Sequence, residues 1–337
     1  MCRKVKESFK VSGGSMKKIG FIIPHFGKFN NYFQLFLNSC EFNVDCDWII
    51  FTDDYTAYSY PKNVKVHYMS FEEVKKVFQS KFDFPISLEY PYKLCDYKVS
   101  YGYVFSEYLS EYKFWGHCDT DLIFGKISNF ISDIDLETYD KIGILGHCTI
   151  YKNDDFINKV FMKKLDGKER YKEVFTSNEN FSFDEEYNSS INNIFEEQNL
   201  MIKNEQYEAN IYTKSSNFRI TRMNLQTKKY TVEKKKDGIF VFDNGRLIRI
   251  IYENNELVEE EYLYIHMQSR PMSIRLLDLN AKKFKIIPNT FEEIELENID
   301  INTFRGIKKK YFNLHYFKLR SKNLYRKIMK RINKRNC

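Results

Sequence analysis

The sequence predicts an α/β protein built on a mostly parallel sheet. Three observations carry that reading. The runs Ile19-Gly20-Phe21-Ile22-Ile23 and Trp48-Ile49-Ile50-Phe51 are apolar without alternation, as in strands covered on both faces. Helical patterning follows each of them, over 31–40 and 71–82. A further apolar run, Phe114-Trp115-Gly116-His117-Cys118, leads directly into Asp119-Thr120-Asp121. Ligands of open α/β sheets bind beyond the carboxyl ends of the strands, where this pattern places His25, Asp53, Asp54, Asp119 and Asp121.

Taken in order, the first strand ends at Pro24-His25-Phe26-Gly27, and the second is closed by Thr52-Asp53-Asp54. Val64–Met69 alternates like a third strand. Between Lys93 and Leu109, apolar residues at 97, 101, 104, 105 and 108 predict a helix. The strand 113–118 follows, then another at Ile142-Gly143-Ile144-Leu145, with His147 at a strand end nearby. Residues 150–225 read as helices with long loops. Turn signals at Asp237-Gly238, Asp243-Asn244-Gly245 and Glu253-Asn254-Asn255 predict a small antiparallel meander over 228–267, whose last strand is Tyr262–His266. Residues 1–15 read as an extension, with Met16 as a natural start. The main domain is expected over 16–270, a connecting segment over 271–304, and a basic amphipathic helical tail over 305–337.

Hydrophobic content of 43% argues for a folded chain with a substantial core. No run is long enough to span a bilayer, and the N-terminus lacks the apolar stretch of a secretory signal. The seven cysteines show no metal-ligand spacing, which favours reduced thiols in a cytosolic protein, with Cys118 a packed core residue. Charge is unevenly spread. Residues 305–337 hold 13 Lys and Arg and no acid, leaving the remainder at a net −6. Tyr311, Leu314, Phe317, Leu324, Ile328 and Ile332 recur within that tail, as in a helix lying on an anionic membrane surface; a solvated basic helix is the alternative.

In an extended segment, side chains at i and i+2 project to the same side, so Asp119 and Asp121 converge. Two such carboxylates repel each other unless a cation lies between them, which suggests a divalent metal site. An acidic turn after a strand is the alternative. Lys93 and Asp96 share one helix face, as a functional pair or as an ordinary ion pair. Asp184-Glu185 offers two further carboxylates, with helix N-capping by Asp184 as the competing role.

The segments Ile22–Gly27, Phe51–Asp53, Pro91–Lys98, Trp115–Gly125, Phe183–Glu185 and Tyr264–His266 occur in an order that resembles GT-A-fold glycosyltransferases using nucleotide-sugar donors. More narrowly, the chain resembles a bacterial family linked to capsular and cell-surface polysaccharide synthesis. The resemblance implies a Rossmann-like GT-A fold and a metal-dependent hexosyl transfer from a nucleoside-diphosphate sugar, UDP-sugar foremost, to a saccharide or lipid-linked acceptor. It implies Mn²⁺ or Mg²⁺ held by Asp119, Asp121 and His266. Donor contacts would come from Pro24, His25, Asp53, Lys93, Asp96, Asp119, His147 and Arg270, and catalytic carboxylates from Asp184 and Glu185. It further implies a cytoplasmic enzyme peripheral to the inner face of the cell membrane, with no nucleic-acid partner. A non-catalytic nucleotide-sugar or glycan-binding protein is one rival. A haloacid-dehalogenase-like phosphatase, whose Asp-x-Asp normally follows the first strand, is another.

Overall fold

The computed structural model describes residues 18–215, 217–294 and 299–307, together with positions 317, 318, 321, 324, 325, 328 and 329. The expected extension 1–15 and Met16 lie outside the described residues, as does most of the expected tail.

The strands expected at 19–23, 48–51, 64–69, 113–118 and 142 onward join two that were not expected, Cys148–Lys152 and Ile202–Lys203, in a mixed, mostly parallel seven-stranded sheet. Its strands are β1 (Ile19–His25), β2 (Cys46–Thr52), β3 (Val64–Tyr68), β4 (Phe114–Cys118), β6 (Lys141–Ile142), β7 (Cys148–Lys152) and β8 (Ile202–Lys203), in the order β3-β2-β1-β4-β7-β6-β8. β3, β2, β1 and β4 run parallel, and β7 lies antiparallel to both β4 and β6. Alternation along these strands feeds two cores. Ile22, Ile49, Phe51 and Trp115 pack with Val74, Tyr97 and Tyr101 on one face, while Phe21, Ile23, Trp48 and Ile50 meet Phe33, Phe36 and Leu37 on the other. Helix α1 (Phe33–Glu41) covers that second face. Helix α2 (Phe71–Gln79) starts at a reciprocal cap between Ser70 and Glu73 and buries Val74 and Phe78.

Two further sheets complete the described molecule's main body. β5 (Leu122–Phe124), β15 (Tyr264–His266) and β9 (Ala209–Asn210) form a three-stranded sheet in the order β5-β15-β9. The third sheet contains β12 (Asp237–Asp243), β13 (Arg246–Glu253), β14 (Glu256–Glu261), β16 (Ser273–Arg275), β17 (Lys283–Ile287) and β18 (Thr290–Glu292). A separate hairpin joins β10 (Thr221–Asn224) and β11 (Lys229–Val232).

Several expectations need correction. Residues 93–109 form a chain of short turns, α-helical at Leu94–Tyr97 and Tyr101–Val104 and 3₁₀ at Lys98–Ser100 and Ser106–Tyr108. The apolar period is real, since Tyr97, Tyr101, Val104 and Phe105 are buried. Aromatic and β-branched residues favour helix weakly, however, and Gly102 packs so close that a Cβ there would overlap the Trp115 indole. The strand expected at 142–145 stops at Ile142, because Gly143 turns with φ +91°. His147 precedes β7 instead of ending a strand. The meander closes with β14, and Tyr264–His266 leaves it for the three-stranded sheet. Residues 273–292, expected as a connector, supply β16, β17 and β18.

Candidate metal centre

The carboxyl ends of β1 and β4 open onto a cleft of about 1290 Å³. After Cys118 the chain leaves the main sheet, with the Asp119 amide donating to the His147 carbonyl. It enters β5 at Leu122, whose partner in β15 is His266. The Met267 amide then donates to the Asp121 carbonyl. Asp119 and Asp121 therefore span the junction between two sheets, and strand register delivers His266 beside them.

Each carboxylate divides its oxygens. Asp119 Oδ1 accepts from Lys98 Nζ at 2.7 Å, while Oδ2 lies 3.7 Å from His266 Nε2. Asp121 Oδ2 accepts the Ser269 amide at 2.6 Å, while Oδ1 lies 3.3 Å from the same Nε2. His266 Nδ1 meets Asn210 Oδ1 at 3.2 Å. The amide oxygen can only accept, so Nδ1 carries the proton and Nε2 faces the carboxylates. Potential ligand atoms from Asp119, Asp121 and His266 all lie within 4.8 Å of one another. Neighbouring ligands about 2.1 Å from an octahedral ion sit about 3 Å apart, so this spacing and the O/O/N donor set fit Mg²⁺ or Mn²⁺. Burial pushes the Asp121 carboxyl up, but His266 and the Ser269 amide outweigh it and hold the group below its ordinary value. Burial likewise depresses the His266 imidazole, yet Asp121 and Asp119 raise it overall, so a proton would compete with any cation for Nε2.

Lys98 links this centre to the second carboxylate pair. Its buried ammonium lies 2.7 Å from Asp119 and 3.4 Å from Asp184, and donates to the Gly146 carbonyl. Burial disfavours that charge, but Asp119 and Asp184 raise Lys98 well above its ordinary value. Burial lifts Asp184 to about 7, with Glu185, Asp119 and Asp96 adding to the shift and Lys98 opposing it. Glu185, raised mainly by burial, accepts the Gly146 amide at 3.1 Å. A Cβ on Gly146 would overlap Asp184 Oδ2, so the close approach requires glycine. Asp184 caps no helix: Ser190 caps Ile191–Glu197.

The remaining expected contacts divide between cleft and interior. Pro24, His25, Asp96, His147 and Arg270 line the cleft with the metal-centre residues. His25 stacks on Phe29 with ring centroids 4.2 Å apart. His147 is buried, its Nδ1 held by the Tyr264 hydroxyl at 2.8 Å and its Nε2 without a hydrogen-bond partner among the described residues. Arg270 is also buried. One guanidinium nitrogen donates to the Ser215 carbonyl, while Nη1 has no partner among the described residues.

Lys93, expected as a donor contact, is fully buried and is not among the residues lining the cleft. It donates to Asp96 at 2.9 Å and to the Glu179 carbonyl. Asp96 accepts the Phe181 and Phe183 amides at 3.1 and 3.0 Å. The pair ties down the loop leading to Asp184. Asp53 is exposed and accepts the Gly27 amide at 2.7 Å, outside the cleft lining. Its neighbour Asp54 is buried and paired with Lys28 at 2.6 Å.

The model of a family of unknown function (DUF6625) matches residues 21–295. The chain belongs to this family. The stretch shared with DUF6625 contains every residue of the metal centre and of the carboxylate loop. No curated protein matches the chain. Among solved structures, the galactosyltransferase LgtC, described in complex with donor and acceptor sugar analogs, aligns at 10% identity over 58% of this chain and 75% of its own. Its TM-score is 0.32, and so distant a likeness carries no argument about the activity of this DUF6625 member.

Proposed function

We propose that the protein is a metal-dependent glycosyltransferase that moves a sugar from a nucleoside-diphosphate donor, with a UDP-sugar as the first choice, to a cell-surface or capsular saccharide. The observation that carries this reading is the division of labour at the metal centre. Asp119 and Asp121 each fix one oxygen within the protein and direct the other towards His266 Nε2, at the mouth of a parallel sheet. A bound Mn²⁺ or Mg²⁺ supplies Lewis-acid stabilisation of negative charge on the departing diphosphate.

The protein's own groups supply the other requirements. Arg270 Nη1 offers a buried donor, without a hydrogen-bond partner among the described residues, for a phosphate oxygen. Its guanidinium is depressed to about 10 by burial, a shift that a bound phosphate would oppose. In this reading Asp184 or Glu185 receives the acceptor hydroxyl's proton if the transfer inverts, which the raised Asp184 pKa of about 7 supports as a basicity suited to neutrality. Lys98 holds the base and metal ligand Asp119 in one constellation. The test is release of nucleoside diphosphate from a panel of nucleotide sugars with Mn²⁺, Mg²⁺ or EDTA. The proposal expects metal-dependent turnover of at least one donor; an absence of turnover across donors and saccharide acceptors contradicts it.

The basic segment 305–337 extends the proposal to an anionic membrane surface at the cytoplasmic face. Phe317, Leu324, Tyr325, Ile328 and Met329 are exposed, which supports an interfacial role. No helix among the described residues is long and apolar enough to cross a membrane. Co-sedimentation with anionic liposomes is expected to require 305–337 and to fall with added salt. Partitioning that needs neither the tail nor low salt contradicts this role.

A further inference from the structure

The cleft continues beyond the metal centre to Asp184, Glu185 and Glu186. Two tyrosines reach the same wall from different elements. Tyr92, in the Pro91–Lys93 turn, is 69% exposed, and Tyr230, on β11, is 41% exposed. Both line the cleft and both lie within electrostatic reach of Glu185. Partly exposed aromatic faces inside a cleft suit the apolar C–H face of a sugar ring, while their hydroxyls remain available to polar groups. Buried His147, next to Gly146 whose amide binds Glu185, adds an Nε2 without a hydrogen-bond partner among the described residues.

Charge narrows the ligand further. The Lys and Arg side chains among the described cleft-lining residues are Lys28, Lys98 and Arg270. Lys28 is paired with Asp54, and Lys98 with Asp119 and Asp184. Arg270 follows Ser269, whose amide binds Asp121, and so belongs to the metal end. The wall at Glu185 and Glu186 therefore has carboxylates to accept hydrogen bonds from hydroxyls and no free cation among these residues to receive an anion. A second negative group would meet like-charge repulsion in a partly desolvated site.

We propose that this end of the cleft is a subsite for an uncharged sugar ring, with Tyr92 and Tyr230 as its platform and Asp184, Glu185 and Glu186 excluding sugars that carry a carboxylate, sulfate or phosphate there. Calling that ring the acceptor rests on the glycosyl-transfer reading; its recognition as a neutral saccharide does not.

Saturation-transfer NMR on the full chain tests the subsite, using methyl glucoside, methyl galactoside and methyl N-acetylglucosaminide against methyl glucuronide, with and without Mn²⁺ and UDP. At least one neutral glycoside is expected to bind, and the glucuronide to show no detectable binding. Tyr92→Ala is expected to weaken neutral binding by about tenfold, whereas Tyr92→Phe retains the platform. Glu186→Gln is expected to admit the glucuronide. Absence of neutral binding, glucuronide binding as strong as that of the neutral sugars, or unchanged neutral binding by Tyr92→Ala overturns the subsite. Neutral selectivity without metal-dependent UDP binding leaves the subsite standing and removes the glycosyl-transfer reading. UDP binding without that selectivity removes the subsite alone.

Discussion

A side-chain amide fixes the orientation of the imidazole at the candidate metal centre. Asn210 Oδ1 receives the His266 Nδ1 proton and presents Nε2 to Asp119 and Asp121. Asn210→Ala is therefore expected to reduce Mn²⁺ affinity by about 10- to 100-fold while all three candidate ligands remain. Titration followed by electron paramagnetic resonance measures this, and unchanged affinity contradicts the orienting role. Glu208 supplies a test of stability. Its buried Oε1 lacks a hydrogen-bond partner among the described residues, and burial raises its pKa from 4.5 to about 7. The folded chain retains a proton there that the unfolded chain releases, so this contribution is full below about 4.5 and is lost as pH rises through about 7. Glu208→Gln is expected to gain on the order of 1 kcal/mol relative to the parent between pH 5 and pH 8. A pH-independent difference in denaturant melts refutes this. Asp119 and Asp121 were legible because they follow an apolar run at i and i+2. Lys98 was visible only within a longer motif, and its link to Asp184 needs the local 3₁₀ turn. Asn210 had no sequence signal, since its role depends on pairing between β9 and β15.

The carboxylate loop depends on a buried ion pair more than on its own propensities. Ser182, Glu186 and Ser189 all have positive φ, at 51°, 61° and 56°, which is unfavourable for side-chain-bearing residues. Lys93 binds the Glu179 carbonyl and Asp96 the Phe181 and Phe183 amides, while Asn192 holds the Glu186 carbonyl. Asp96→Ala leaves a buried ammonium and two amides without this carboxylate, a loss of about 3–5 kcal/mol. Hydrogen exchange is expected to accelerate first at 179–186; unaltered protection there contradicts the anchoring role. Spacing revealed that Lys93 and Asp96 were neighbours, but could not distinguish a cleft-facing pair from an interior one. Lys93 lies in the interior, while Asp96, also buried, reaches the cleft lining. The main strands were easier to read because long apolar runs specify two covered faces. β16 and β18 were not, being three residues each; β18 closes a tight hairpin with β17, and β16 pairs in parallel with β18 across the intervening β17.

At the scale of the molecule, the three-stranded sheet joins what the sequence separates. β5 follows the Asp-x-Asp directly, whereas β15 arrives more than a hundred residues later, and their antiparallel register completes the candidate metal centre. Apolar patterning predicted five of the seven strands of the main sheet and the order of its early elements, and missed β7 and β8. It could not predict that the chain would leave the meander at Tyr264 for another sheet. The central claim is that this junction binds a divalent cation and, through it, a nucleoside diphosphate. Isothermal titration of UDP into the full chain, with Mn²⁺ or with EDTA, tests it most directly against Asp121→Ala and His266→Ala. Binding that requires Mn²⁺ and falls at least about tenfold in both variants agrees with the claim; equally strong binding in EDTA, unchanged by either substitution, contradicts it.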